Sequence, residues 1–320
     1  MMKVILAASG AFALPSLEIL AEKLPPGSLR VVSQPDRRQG RGRHHQPTPV
    51  KRRALELELP VITPEKLEHW QNETFLSTFT ADFLVVIDYG QLVPRSLIDF
   101  PGQAAINLHP SLLPLHRGPA PITWTLLNGD AATGVTTQLL ADKIDCGDIL
   151  LQKKTAVKPA ETREQLTERL RKLGAELVWE TLEQWQAGLI KPVPQKDDQA
   201  TYAPKLQKSD GLLDWNRDVR ELERRIRALN PWPGTYTFWR GKRLKILTAR
   251  LETEKPQEAM VPGTILVSGK TLSVACGQGF LQITKVQPEG KRPQAVHDFL
   301  QGHQAASGEQ FNSREKISSP

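Results

Sequence analysis

The sequence predicts an α/β protein built on a parallel sheet, followed by a smaller all-β barrel. Two observations carry this. Through the first half of the chain, short apolar runs alternate with helical segments, the pattern of strands buried on both faces by crossover helices. Beyond residue 206 that alternation gives way to five short strand-like runs separated by turn residues. The 320 residues are enough for two domains of ordinary size, and 39% hydrophobic with 24% charged residues is a globular composition.

The elements follow in order. "KVILAA" (3–8) reads as a buried strand that passes through Ser9 and Gly10 into a helix over 15–24, with Leu17, Leu20, Ala21 and Leu24 on one face. Lys3 before an apolar stretch superficially resembles an export signal, but the apolar core is short and broken. With only Cys146 and Cys276, far apart, a cytoplasmic protein without disulfides is expected. No run of about 18 apolar residues suggests a membrane span. "RVVSQ" (30–34) is the next strand, "VKRRALELEL" (50–59) a helix and "PVITP" (60–64) a short strand. "FLVVIDYG" (83–90) is the strongest buried strand, and "AAINLH" (104–109) follows it. "TGVTTQLLA" (133–141) alternates like a strand, and 161–188 is a long amphipathic helix.

These elements set an α/β domain over 1–189. "LIKPVPQKDDQATYAPKL" is rich in proline and polar residues and reads as a linker over 190–206. A barrel domain over 207–304 opens with a basic helix (218–229) and continues with strands at 235–239, 244–249, 264–267, 272–276 and 280–286. The tail, 305–320, reads as disordered.

Charge is unevenly placed. Residues 1–150 carry 14 Lys and Arg against 15 Asp and Glu, whereas 205–296 carry 17 against 9. The basic C-terminal region points to a polyanion, nucleic acid first; the plainer alternative is a solvated basic face.

In "INLHPSLLPLHRGPAPI" (106–122), Asn107 and His109 lie two positions apart at the end of an extended run, so they share a face. An amide that donates without ionising and an imidazole that titrates near neutrality suit oxyanion stabilisation and proton transfer. The bland reading is a strand end facing water. "KIDCGDIL" (143–150) supplies Asp145 and Asp148 as groups that could orient the imidazole. No nucleophile motif, P-loop or dinucleotide fingerprint is present, so direct group transfer without a covalent enzyme adduct is the chemistry implied. Asp88 closes the strongest strand and is either an acid near the site or a strand-end residue. The pair His44–His45 lacks partners at metal-ligand spacing and reads as loop surface. The loop 34–53 is densely basic, with Gly40 and Gly42 bracketing Arg41, and is either functional or simply solvated.

"INLHPSLLPLHRGPAPI" together with "TGVTTQLLADKIDCGDIL" resembles the formyl-folate transferase superfamily. "QPDRRQGRGR…PTPVK" and "RALNPWPGTY" (227–236) resemble its members that act on methionyl-tRNA. The resemblance covers about residues 2–300 and implies a Rossmann-like formyltransferase domain with a C-terminal OB-like β-barrel domain. It implies Asn107, His109 and Asp145 as catalytic residues, and Ser111, Leu112, Leu113 and Pro114 as the wall of the tetrahydrofolate site. The formyl donor would be 10-formyltetrahydrofolate, with no metal. Arg41 would reach the acceptor end of methionyl initiator tRNA, the basic barrel would hold the same tRNA, and the protein would act as a monomer.

Four places depart from the family pattern, one of them Leu115–His116, which stands where a basic–aromatic pair often precedes Arg-Gly. The first loop, usually "FFGTPEFAVPSL", stands here as "LAASGAFALPSL", which brings in Ala8, Ser9 and Gly10. Asp88 stands where Ala is common, and Cys146 where Thr is common. Rival acceptors are glycinamide ribonucleotide, an amino sugar or water, none of which needs a basic barrel. A catalytically weak tRNA-binding relative is the alternative outside enzymes, and the altered first loop is its only support.

Overall fold

The computed structural model describes residues 1–39, 44–252 and 260–312. The chain divides into two folded units: residues 1–121, 132–157 and 164–203 form the first, and 122–131, 158–163 and the residues from 204 onward form the second.

In chain order the elements before residue 190 are β1 (Val4–Ala8), α1 (Leu14–Lys23), β2 (Leu29–Val32), β3 (Arg37–Gln39), β4 (His44–Gln46), α2 (Pro49–Glu56) and β5 (Val61–Ile62). They continue with α3 (Thr74–Ser77), β6 (Phe83–Ile87), α4 (Arg95–Ile98), β7 (Ala104–His109), α5 (Pro121–Asn128), β8 (Ala132–Leu139), β9 (Ile149–Ala156) and α6 (Arg163–Gln186). Seven strands form one sheet in the order β5-β2-β1-β6-β7-β8-β9. The first five are parallel, and β8 and β9 are antiparallel additions at the β7 edge. β1 and β6 are buried at all five positions, which explains why they read as unbroken apolar runs rather than alternating ones. One face carries Ile5, Ala7, Leu84, Val86 and Ala105 against Leu67, Trp70, Leu76 and Leu97.

The parallel part was legible in the sequence; β9 was not. Its burial alternates with exposed Gln152, Lys154 and Ala156, as befits an edge strand covered on one side. Likewise, the basic loop contains the antiparallel pair β3–β4, with Arg37 opposite Gln46. Residues 190–203, read as a linker, pack on the first unit: Val193 bridges Ile149, and Tyr202 bridges Arg117.

The second unit contains α7 (Val219–Leu229), β10 (Thr235–Trp239), β11 (Lys242–Leu251), β12 (Ile265–Ser268), β13 (Thr271–Ala275), β14 (Phe280–Pro288), β15 (Gln294–Ala295) and α8 (Val296–His303). Asp218 caps α7 by accepting from the Arg220 amide at 2.8 Å. All five expected strands are present, antiparallel, in the order β10-β11-β14-β13-β12. Within "RALNPWPGTY" the Asn230 carboxamide donates to the carbonyls of Ile226, Ile246 and Leu247, tying the end of α7 to β11. That motif is structural at this residue.

The tail corrects one expectation. Residues 308–312 are ordered and close the barrel, while 313–320 lie outside the described residues. Phe238 and Asn312 exchange both backbone hydrogen bonds, at 3.0 and 2.8 Å, on the β10 side. On the β12 side, Ile265 donates to Glu309 and Phe311 donates to Gly263, each at 2.8 Å. Phe311, 3% exposed, enters a core with Trp215, Trp239, Ile246, Ile283 and Phe299. A polar composition suggested disorder, but two unpaired strand edges and one aromatic side chain outweigh it.

Barrel closure by this segment has an energetic consequence. Phe311→Ala should lower the stability of the second unit by about 3–5 kcal/mol in denaturant unfolding, the ordinary cost of deleting a buried Phe side chain. A loss below about 1 kcal/mol would mean that the segment is not part of the core.

Candidate active site

The site grows from the alternation of β7. Ile106 and Leu108 point to one face, where Leu108 packs on Gly174 of α6. Asn107 and His109 point to the other; Asn107 is half-buried and His109 is 4% exposed. Antiparallel β8 then sets Gln138 directly opposite Asn107 and Thr136 opposite His109. The chain leaves β8 and turns back through Asp145, whose φ of 55° is left-handed, a conformation a non-glycine side chain holds only when its surroundings fix it.

That turn aims the Asp145 carboxylate into the cluster. Its Oδ1 lies 3.1 Å from Gln138 Nε2, 3.4 Å from His109 Nδ1 and 3.5 Å from Asn107 Nδ2. Its Oδ2 accepts from the Gly118 amide at 2.9 Å. Gly118 has φ 117°, and a Cβ there would press on the Ala203 carbonyl, so only glycine delivers this amide. Asn107, His109 and Asp145 are therefore together; Asp148, the alternative orienting carboxylate, is absent from this set of contacts.

Proton placement on His109 follows from its neighbours. Nε2 lies 2.9 Å from the His116 carbonyl oxygen, which only accepts, so the ring proton resides there. Nδ1 faces Asp145 at 3.4 Å, longer than a charge-assisted hydrogen bond. With Nε2–H given to that carbonyl, Nδ1 is left facing the Asp145 carboxylate, which can hold a proton placed between them. Burial pushes its pKa below the ordinary 6.5, while the Asp145 carboxylate and the His116 carbonyl pull the other way. The pair can thus take one proton, share it and return it. The Asn107 carboxamide has only the 3.5 Å contact among the described residues, leaving its donors available to a ligand oxygen.

The loop after β7 is held by its own hydrogen bonds. Ser111 is fully buried, and its hydroxyl donates to the Leu115 carbonyl at 2.6 Å. Thr136 donates to the Ser111 carbonyl and accepts from the Leu113 amide. Gln152 donates to the Leu113 carbonyl. Ser111 and Leu113 therefore point inward and shape the loop, whereas Leu112 and Pro114 are half-buried, with the Leu112 side chain over Gly134.

Asp88 sits at the end of β6 with φ 46°, and its carbonyl accepts from the Ser9 and Gly10 amides at 3.2 Å. A Cβ at residue 10 would overlap the Asp88 carboxyl. The altered first loop and Asp88 are thus one unit: glycine at 10 makes room for the acid. Burial raises the pKa of Asp88. Arg41 lies outside the described residues. His45 bonds through Nδ1 to the Asp36 carbonyl, as a loop residue. Among the described residues no three His, Cys, Asp or Glu side chains are grouped as a metal site requires, and no helix is long and apolar enough to cross a membrane.

On the barrel, Trp239, Arg240, Lys242, Arg243 and Lys291 line a cleft of about 390 Å³. Arg240 is committed to Glu309, and Arg243 stacks on Tyr236 with 3.6 Å between its guanidinium carbon and the ring centre. Lys242 and Lys291 are exposed and form no ion pair among the described residues.

Comparison with known proteins covers both units. Residues 2–182 match the formyl transferase family and 205–304 match the formyl transferase C-terminal domain. The methionyl-tRNA formyltransferase of Roseiflexus castenholzii is 40% identical over 97% of this chain and 99% of that one. That of Syntrophus aciditrophicus is 41% identical over 93% and 95%. Among solved structures, the N-formyltransferase of Helicobacter canadensis, in complex with folinic acid and dTDP-3-aminofucose, superposes with a TM-score of 0.68. It is 17% identical and spans 90% of this chain and all of that one, a likeness of fold.

The direction of the His109 shift sets a pH signature. Between the depressed native pKa and the ordinary 6.5, the unfolded chain binds more protons, so stability rises with pH and is lost as pH falls through 6.5. The wild-type chain should lose stability relative to His109→Asn on going from about pH 7.5 to 5.5. A difference between the two that does not change over that range contradicts the neutral, buried assignment.

Proposed function

This chain belongs to the formyl transferase family, and we propose that it moves the formyl group of 10-formyltetrahydrofolate onto the α-amino group of the methionine carried by initiator tRNA. The observation that carries this reading is the full-length kinship to methionyl-tRNA formyltransferases at about 40% identity, with both domains matched.

In the proposed chemistry the neutral α-amino nitrogen attacks the formyl carbon and the carbonyl electron pair moves onto oxygen. Asn107 donates to that oxyanion from Nδ2, a role supported by its having no short hydrogen bond among the described residues. The nitrogen that attacked sheds a proton to the His109–Asp145 pair, a role supported by the placing of Nδ1 against the carboxylate. The imidazolium formed beside Asp145 is then the second stabiliser of the oxyanion. As the carbon–N10 bond breaks, the pair returns the proton to N10, so protons and electrons balance without a covalent adduct. The half-buried Leu112 and Pro114 supply apolar surface for the folate, with Ser111 and Leu113 holding them in place.

For the tRNA, the excess of 17 basic over 9 acidic residues in 205–296 supports contact by the barrel, with Lys242 and Lys291 as uncommitted cations. Arg41 is proposed as the loop residue that reaches the acceptor end. A monomer is the working form proposed, because the described residues of one chain supply every side chain the chemistry uses, and the unpaired Cys146 and Cys276 support a cytoplasmic location.

The test is formyl transfer from 10-formyltetrahydrofolate to methionyl initiator tRNA, run beside elongator methionyl-tRNA and free methionine. Product should form with the initiator alone at an appreciable rate, and His109→Ala should lower kcat by about 10²–10⁴-fold in a folded protein. No product with any acceptor, despite tRNA binding, would mark the chain as a binding protein.

A further inference from the structure

We propose that Gln195 is a positioning residue for the transfer chemistry: it clamps the main chain around Asp145 and fixes the sense of the Gln138 amide, holding the Asp145 carboxylate against His109. The proposal rests on the formyl-transfer reading for its kinetic consequence, but not for its geometry.

Gln195 lies in the Pro-rich stretch after α6, within the first unit. Its Oε1 accepts from Arg117 Nε at 3.0 Å. Its Nε2 lies 2.9 Å from the Asp145 carbonyl, 2.7 Å from the Gly147 carbonyl and 3.1 Å from Gln138 Oε1. A guanidinium only donates and backbone carbonyls only accept, so this amide has one possible orientation. The same logic passes to Gln138. Its Oε1 accepts from Gln195, so its Nε2 must face Asp145 Oδ1, at 3.1 Å. A chain of donors thus runs one way, from Arg117 through Gln195 and Gln138 to the carboxylate.

The starting point is firm. Arg117 is 3% exposed and pairs at 2.8 Å with Asp197, which is 86% exposed at the surface. The end point needs support, because Asp145 sits at φ 55° and no regular element holds it. Gln195 grips the main chain at residue 145 itself and two residues beyond, and so spans the strained turn. Releasing it would let the turn relax and draw Oδ1 away from Nδ1.

The titratable groups in play are few. Asp145 and His116 face His109; Asp197, Cys146 and Tyr202 surround the Arg117 guanidinium. Asp145 is the charged neighbour that pulls the His109 pKa upward, beside the hydrogen bond to the His116 carbonyl. A residue acting through Asp145 must therefore move the titration of His109 as well as the rate, which bulk stability alone would not do.

The full chain carrying Gln195→Met keeps the side-chain length and loses the amide; Gln195→Glu keeps the acceptor for Arg117 and sets oxygen against the two carbonyls. Both should lower kcat by about tenfold or more while KM for folate donor and methionyl-tRNA stays within about threefold. In Gln195→Met the His109 ring resonances, assigned by their loss in His109→Asn, should titrate at lower pH than in the wild type. A folded variant with kcat within about twofold of wild type overturns the proposal, and so does a fall in kcat with an unmoved His109 titration. If Gln195→Met does not fold, Gln195→Asn, one methylene shorter and unable to span both partners, is read the same way. Should the wild-type chain transfer no formyl group, the functional reading falls, while the titration still decides the role of Gln195.

Discussion

A carboxylate accepts hydrogen bonds and gives none, and the first unit is organised around one such group at Asp145. Three N–H donors and one imidazole nitrogen converge on it from separate parts of the chain. β7 brings Asn107 and His109 to one face, β8 sets Gln138 across from Asn107, and the loop after β7 brings the Gly118 amide. The stretch at 193–203 holds that loop and the main chain of Asp145 itself. The antiparallel β8–β9 addition to an otherwise parallel sheet makes sense in these terms. β8 runs back along β7 and sets Gln138 beside Asn107, and the chain then turns through Asp145, so the carboxylate meets the face that carries Asn107 and His109.

The second unit is stabilised differently. Its core is a single aromatic-rich cluster enclosed by antiparallel strands, and its edges are removed by residues 308–312 rather than by another strand. Asn230, in a motif tied by resemblance to tRNA-directed members, spends its amide on three backbone carbonyls. Nucleic-acid contact is better sought in the exposed lysines of β11 and of the turn after β14 than in that motif.

Sequence patterns revealed what burial and periodicity control. The central strands, the long helix and all five barrel strands appear as apolar runs or alternations, because their side chains answer to water on one face or neither. Asn107 and His109 were visible as polar residues at a strand end and Asp145 as a carboxylate that could orient the imidazole, with resemblance favouring it over Asp148. Gln138 was hidden, since a polar residue in "TGVTTQLLA" is what a half-exposed strand ordinarily carries. Gln195 and Arg117 were hidden more deeply. Their work is done through backbone carbonyls and one another across about 80 positions of sequence, and no local pattern encodes such contacts. Phe311 was one of two large apolar residues in a polar tail, the other being Ile317, too little to mark an ordered segment. Gly10 and Asp88 read as two unrelated departures until their proximity made them one.

Asp145 works as an acceptor among donors, sharing a proton with His109. Asp145→Asn tests it most directly, because the carboxamide keeps the shape and puts an NH₂ group where only an acceptor fits. Single-turnover formyl transfer by the folded variant should fall by about 10²-fold or more, with the affinity for 10-formyltetrahydrofolate little changed. A single-turnover rate close to that of the wild type would contradict the account.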